Sequence, residues 1–298
     1  MRNRSFLFQA VVWSLISNAM FAVMWVFIKL LGNRIPTGEA VLLRGITSLL
    51  CLVPILHWKK VRWKFGQVST LIVRSFCGYL GMLCGFYALP RMGMGNVSAL
   101  SNTSPIFVAL LAPLFGRERF DKRHFMLVLL AFAGVCLIVK PDRNIVNSVA
   151  WLALSCGLLN AISLISVQDL YRSNNAYTIT FFFTLTITLF ALPFGLWNFM
   201  LPTAREAFLL MLIGASGSFA QLWLMKAYQH IATSIMSSVG YIFVLFCYAL
   251  EILIWHTLPN TLTMLGALVV IGSGIGILQL QQRKSLAGAS NEATTKVV

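Results

Sequence analysis

Asn18, Trp25 and Lys29 recur at intervals of seven and four, and Ser101, Asn102 and Pro105 follow Ser98 at three, four and seven residues. On a helix each set lies along one face. Amides, hydroxyls and an indole displayed this way hydrogen-bond and stack, which is the chemistry of holding a small polar molecule. The second half of the chain repeats the pattern: Asn160, Val167 and Tyr171 keep the seven-and-four spacing, and Ser234, Ser237, Ser238 and Tyr241 crowd the first turns of another apolar stretch. Trp223 offers a second indole. Arg74 reads equally as a helix anchor and as a cargo contact. Glu251 is the acid that stands well inside an apolar segment, where it either couples an ion or pairs with a neighbouring helix. For any single serine the competing role is interhelical hydrogen bonding.

Bond-breaking chemistry has no such foothold. The chain lacks HExxH, Gly-x-Ser-x-Gly, a phosphate-binding GxxxxGKS and paired carboxylates at helical spacing, so it reads as a non-enzyme. Six cysteines are scattered through apolar stretches without metal-ligand spacing, and four histidines lie far apart in sequence, so no metal or cofactor is expected.

The elements that must position these residues are set by the solvent. With 58% hydrophobic and 10% charged residues, apolar blocks of about twenty residues recur from end to end, the pattern of bilayer-spanning helices. Ten blocks are expected, at 9–31, 37–56, 68–89, 96–115, 125–139, 149–171, 177–199, 208–227, 233–254 and 261–280. The first is too long and too polar for a cleaved signal peptide. In a soluble protein a net charge of +15 would suggest nucleic acid; here its distribution matters more. With the N-terminus in the cytoplasm, fourteen Lys and Arg fall inside, chiefly in "HWKKVRWKFG", "GRERFDKRH" and the two ends, against five outside: Arg34, Arg91, Lys140, Arg143 and Arg205. That is the positive-inside bias. It predicts cytoplasmic termini, cytoplasmic links at 57–66 and 116–124, contact with anionic lipid heads, and no nucleic-acid partner. An ionisable group at mid-bilayer costs about 2.5–3.5 kcal/mol on insertion scales. Lys29, Glu39, Asp169 and Lys226 lie near interfaces, where snorkelling or pairing relieves that cost.

The two halves also correspond. "FYALPRMGMGNVSAL" and "MKAYQHIATSIMSSV" share spacing at an offset of 139, and Asn18 aligns with Asn160. Each half holds five spans, so the second enters the membrane in the opposite sense. The expectation is an all-α polytopic protein of ten transmembrane helices in two inverted five-helix repeats, residues 1–143 and 144–282, followed by a disordered cytoplasmic tail at 283–298. In such a fold polar groups face a wet cavity at the repeat interface. Glycines 78, 81, 85, 93 and 95 then serve close packing and hinges.

The segments "FIKLL", "LLRG", "RSFCGYLGMLCGFYAL", "SALSNTSPIFVALLAPLFGRER", "FAGVCLIVKP", "KAYQHI" and "GYIFVLFCYALEILIWHTLP" together resemble the ten-span EamA-type transporters of the drug/metabolite transporter superfamily, over nearly the whole chain. In pattern the chain is most similar to the branch with bacterial S-adenosylmethionine and riboflavin uptake proteins; sister branches export amino acids and drugs. The resemblance implies a bacterial inner-membrane secondary transporter working by alternating access. Its cargo would be a small polar or zwitterionic metabolite of the amino acid, S-adenosylmethionine-like, nucleoside or flavin class. Asn18, Trp25, Arg74, Ser98, Asn102, Asn160, Trp223, Ser237 and Tyr241 are the candidate cargo contacts. Membrane lipids are partners, and a coupled proton, an exchanged metabolite and a homodimer stay open. Because the family's second span lies toward the periphery, Arg44 reads as structural. The chain departs from the family at Glu251, where a small residue is usual, and at His256–Thr257.

Overall fold

Apolar runs leave the backbone no hydrogen-bond partner in hydrocarbon but itself, and the chain answers with helices. The computed structural model describes residues 2–61, 66–111, 122–139, 148–171, 173–197, 199–229, 240–258, 260–262, 264–273, 275–276 and 279–280, which are helical with short links and contain no strand. In order, the helices are α1 (Arg2–Leu31), α2 (Thr37–Trp58), α3 (Val68–Ala88), α4 (Met94–Ser101), α5 (Ser104–Leu111), α6 (Lys122–Val139), α7 (Ser148–Ile165), α8 (Val167–Leu170), α9 (Ala176–Trp197), α10 (Ala204–Tyr228), α11 (Tyr241–Trp255) and α12 (Met264–Ser273).

Six of these, α1, α2, α3, α7, α9 and α10, are long and apolar enough to cross a membrane. Two expected blocks differ from continuous spans. The stretch 96–115 breaks at Asn102–Thr103 into α4 and α5, since Pro105 has no N–H to bond the carbonyl of Ser101. The stretch 149–171 breaks at Ser166, whose hydroxyl donates back to Ile162 O at 3.3 Å. The links at 112–121 and 230–239 and the tail beyond 280 lie outside the described residues, as do Arg62, Lys64, Arg117 and Arg119 of the expected cytoplasmic links.

Packing follows small residues. α1 lies along α10, α3 along α7, and α2 along α9. At the α2–α9 contact, a Cβ on Gly45 would fall 3.1 Å from Thr188 Cβ, so only glycine permits this approach. The buried hydroxyls of Thr180, Thr184 and Thr188 each donate to the carbonyl four residues earlier at 2.8, 2.9 and 2.8 Å, which lets α9 hide polar atoms without an outside partner. Leu50, Phe194, Leu253 and Leu268 are each more than half exposed, as side chains facing lipid would be. Trp58 and Trp197, both 84% exposed, stand at helix ends, where interfacial indoles belong.

Candidate functional site

A cavity of about 220 Å³ lies among α1, α2, α3, α7, α9, α10, the α4–α5 break and the start of α11. α1 lines it with Asn18, Phe21, Met24 and Trp25, a single helical face. α3 supplies Arg74, Met82 and Phe86, with Gly78, Gly81 and Gly85 thinning its surface between them. Into that thinned face come Phe183 of α9 at Gly78, Asn160 of α7 at Gly81 and the Cys156 thiol at Gly85. Ser163, Gln221, Met225 and Tyr228 complete much of the far wall.

The helix break brings backbone polarity to this wall. α4 ends at Asn102, whose side-chain amide donates to Gly240 O at 3.0 Å, at the residue that opens α11. Gly157 of α7 fits against the same turn: a Cβ there would lie 3.0 and 3.1 Å from the carbonyl oxygens of Leu100 and Ser101.

One end of the cavity is closed in two layers. Trp25 and Phe243, both on the wall, meet edge to face with ring centroids 5.0 Å apart. One turn further along α1, Lys29 Nζ lies 2.6 Å from Glu251 Oε1 and 4.2 Å from the Trp255 ring centroid. The Glu251 carboxylate also accepts from the backbone N–H groups of Met94 and Gly95, both at 2.8 Å. It thereby caps the positive end of α4 while neutralising a lysine on α1. A second ion pair, Arg34 with Glu206 at 2.5 Å, ties the turn after α1 to the first turn of α10.

Of the residues expected at a site, Asn18, Trp25, Arg74, Asn102 and Asn160 share this cavity wall. Ser98 is elsewhere: it is buried and donates to Gly95 O at 2.7 Å, within its own helix. Trp223 is elsewhere too, 6.3 Å from the Trp13 ring and beneath the Lys226 ammonium at 4.6 Å, on a face of α10 turned from the cavity. Ser237 and the Tyr241 side chain lie outside the described residues. Glu251 is not on the wall but engaged beside it. Arg44, expected to be structural, also borders the cavity, its side chain passing Gly217, where a Cβ would fall 3.0 Å from Arg44 Nε. That path exists only because α10 carries a glycine there, a pairing between distant segments that helical spacing within α2 does not reveal. Gln221, four residues before Met225 and seven before Tyr228, was legible as a face of α10 that spacing alone could have found.

Residues 8–140 match the EamA-like transporter family. The chain is 29% identical over 270 residues to a pseudopaline exporter, CntI, of Pseudomonas aeruginosa, covering 90% of this chain and 95% of that one. It is 21% identical over 279 residues to an S-adenosylmethionine uptake transporter of Rickettsia prowazekii, covering 93% and 94%. A crystal structure superposes with a TM-score of 0.68 over 93% of this chain and 99% of its own at 13% identity, a likeness of fold.

Proposed function

We propose that the chain, a multi-pass membrane protein whose residues 8–140 match the EamA-like transporter family, is a transporter of that family, a secondary carrier that moves a small polar or zwitterionic organic metabolite by alternating access. The observation that carries this reading is the cavity itself, walled jointly by helices of the first half, α1 to α5, and of the second, α7 to α11. Rocking one half against the other would open the same wall to either side.

The helix contacts support a duplicated plan. Exchanging α1 with α7, α2 with α9, α3 with α10 and α4 with α11 turns the α1–α10 contact into α7–α3, the α2–α10 contact into α9–α3, and the α1–α11 contact into α7–α4; the α2–α9 and α4–α11 contacts map onto themselves. All of these contacts occur. With α5, α6 and α12 completing the halves, ten spans in two inverted repeats account for the pattern. The two named relatives run in opposite directions, one an exporter and one an uptake transporter, so direction is not inherited from likeness.

Reconstitution into liposomes tests the carrier. Trans-stimulated exchange of a metabolite across the bilayer is expected; inertness to a broad panel, or conversion of a compound into another, would remove the reading. The orientation follows from the basic links: the inner membrane of a bacterium, with both termini cytoplasmic. In a background lacking the native cysteines, a cysteine at position 142 is expected to label from outside the cell and one at Lys60 only after permeabilisation; the reverse pattern inverts the topology.

A further inference from the structure

We propose that the cavity binds its cargo as an organic dianion, with one carboxylate on Arg74 and the other on Arg44. The inference rests on the carrier reading and narrows its substrate class. Both arginines are on the cavity wall, Arg44 5% and Arg74 2% exposed. Among the described residues neither meets a carboxylate. Arg44 Nη1 approaches Met82 Sδ at 2.8 Å and Arg74 Nη2 approaches Met225 Sδ at 3.2 Å, and a thioether is a weak acceptor. Arg74 also lies over the Phe183 ring at 4.5 Å. Arg44 Nε, Arg74 Nε and Arg74 Nη1 are buried, and among the described residues nothing accepts their hydrogens.

Native proteins seldom leave such donors idle, and a guanidinium cannot escape by losing its proton. Of the described acids, Glu251 pairs with Lys29, Glu206 pairs with Arg34 and Glu39 accepts from the Met200 N–H at 3.0 Å, and neither these nor Asp169 line the cavity. The segment between α10 and α11, "HIATSIMSSV" at 230–239, contains no Asp or Glu. Two cations on the wall of a cavity with no acid among its lining residues leave the counter-charge to the cargo.

Their spacing limits its shape. On α3, Arg74 and Met82 are eight residues apart; on α10, Met225 and Gly217 are also eight apart, and these are the neighbours of the two guanidiniums. At about 1.5 Å per residue both rulers put the guanidiniums roughly 12 Å apart along the helices. A carboxylate in a charge-assisted pair places its carbon about 4 Å from the guanidinium carbon, leaving roughly 4 Å between two carboxylates held end to end. That is the reach of a four- or five-carbon dicarboxylate. The cavity's volume of about 220 Å³ suits a molecule of that scale and lies below the ~300–1,000 Å³ of drug-sized sites. Ser101, beside the Cys156 thiol on the same wall, adds a buried hydroxyl that can hydrogen-bond the middle of the cargo.

Thermal-shift titration of the full chain in detergent at constant ionic strength tests this, with succinate and glutarate as probes. Butyrate is the matched monoanion, succinamide the neutral analogue and putrescine the cation. Succinate or glutarate is expected to raise the Tm by several degrees while the three controls do not. Arg44→Gln and Arg74→Gln are each expected to weaken that response about tenfold or more, as loss of one partner of a buried charge pair does. Arg44→Lys and Arg74→Lys keep the charge and part of the response; they carry the comparison if a glutamine variant does not elute as a folded monodisperse species. Equal stabilisation by butyrate or succinamide, no response to either dicarboxylate, or a response surviving in both glutamine variants overturns the dianion site. Liposome exchange judges the carrier separately. Exchange of a neutral or cationic metabolite without a dicarboxylate response removes the dianion and keeps the carrier, whereas a dicarboxylate response without exchange of any compound does the reverse.

Discussion

One amide, that of Asn102, reaches across from the first half of the chain to the backbone of the second at Gly240. Removing it in Asn102→Ala forfeits a part-buried hydrogen bond and is expected to cost about 1 kcal/mol of stability in detergent, with Asn102→Asp no better because the donor is gone; chemical unfolding curves of the three proteins decide it. Glu251→Gln is the harsher change. It leaves Lys29 facing a neutral amide and weakens the cap on α4, so a loss of about 2–4 kcal/mol is expected, partly recovered when Lys29→Met is added. Unchanged stability in Glu251→Gln would show that the pair does not hold the closed end. At this scale helical spacing in the sequence led to Asn18, Trp25, Asn102 and Asn160, which share the cavity wall with Arg74, singled out as a charge inside a span, because three or four residues of separation already define a face. It could not separate Ser98, which turns its hydroxyl into its own helix, from Ser101, three residues on, which does line the wall. Nor could it find Arg44, whose route depends on a glycine more than 170 residues away.

Among the elements, the broken α4–α5 segment is the one that most shapes the site, and its seat is Gly157 of α7. Gly157→Ala would push a methyl group against the carbonyls of Leu100 and Ser101 and the Thr103 hydroxyl. Overpacking of this kind costs about 1–3 kcal/mol. Gly272 of α12 is the control: nothing lies within 4 Å of a Cβ there, so Gly272→Ala is expected to be neutral or mildly stabilising through helix propensity. Comparable Tm losses in both variants would mean that the crowding at the break is not felt. The sequence announced this break through Pro105 and the polar turns before it. The break at Ser166 had no such signal, since serine neither lacks an N–H nor resists helical angles, and the hydroxyl's back-bond to Ile162 is visible only in three dimensions.

Across the whole molecule the closures are unevenly placed. The end of the cavity beyond Trp25 and Phe243 carries the Lys29–Glu251 pair and, at the turn after α1, the Arg34–Glu206 pair. Glu251→Gln is therefore expected to raise the reactivity of a single cysteine at Asn18 toward an impermeant maleimide applied from the Lys29 side, with little change from the opposite side. The all-helical, membrane-spanning character was legible because lipid admits few solutions. Which helices meet was not legible, because small residues that permit close approach are spread over nearly every span.

The two cavity arginines also bear on how the chain is made. Arg44 and Arg74 are synthesised early, yet Gly217, Met225, Phe183 and Tyr228, beside which they come to rest, all belong to later helices. During translation the α2–α3 hairpin must enter the bilayer with two charges whose later-helix neighbours are not yet made, Met82 of α3 being the one partner already at hand for Arg44. A ribosome that stopped after residue 147 would release a segment bound for quality-control proteolysis. Expression of residues 1–147 alone is expected to yield little protein, and co-expression of residues 148–298 to restore it, as followed by pulse-chase. Late helices would thus act as chaperones in cis for early ones.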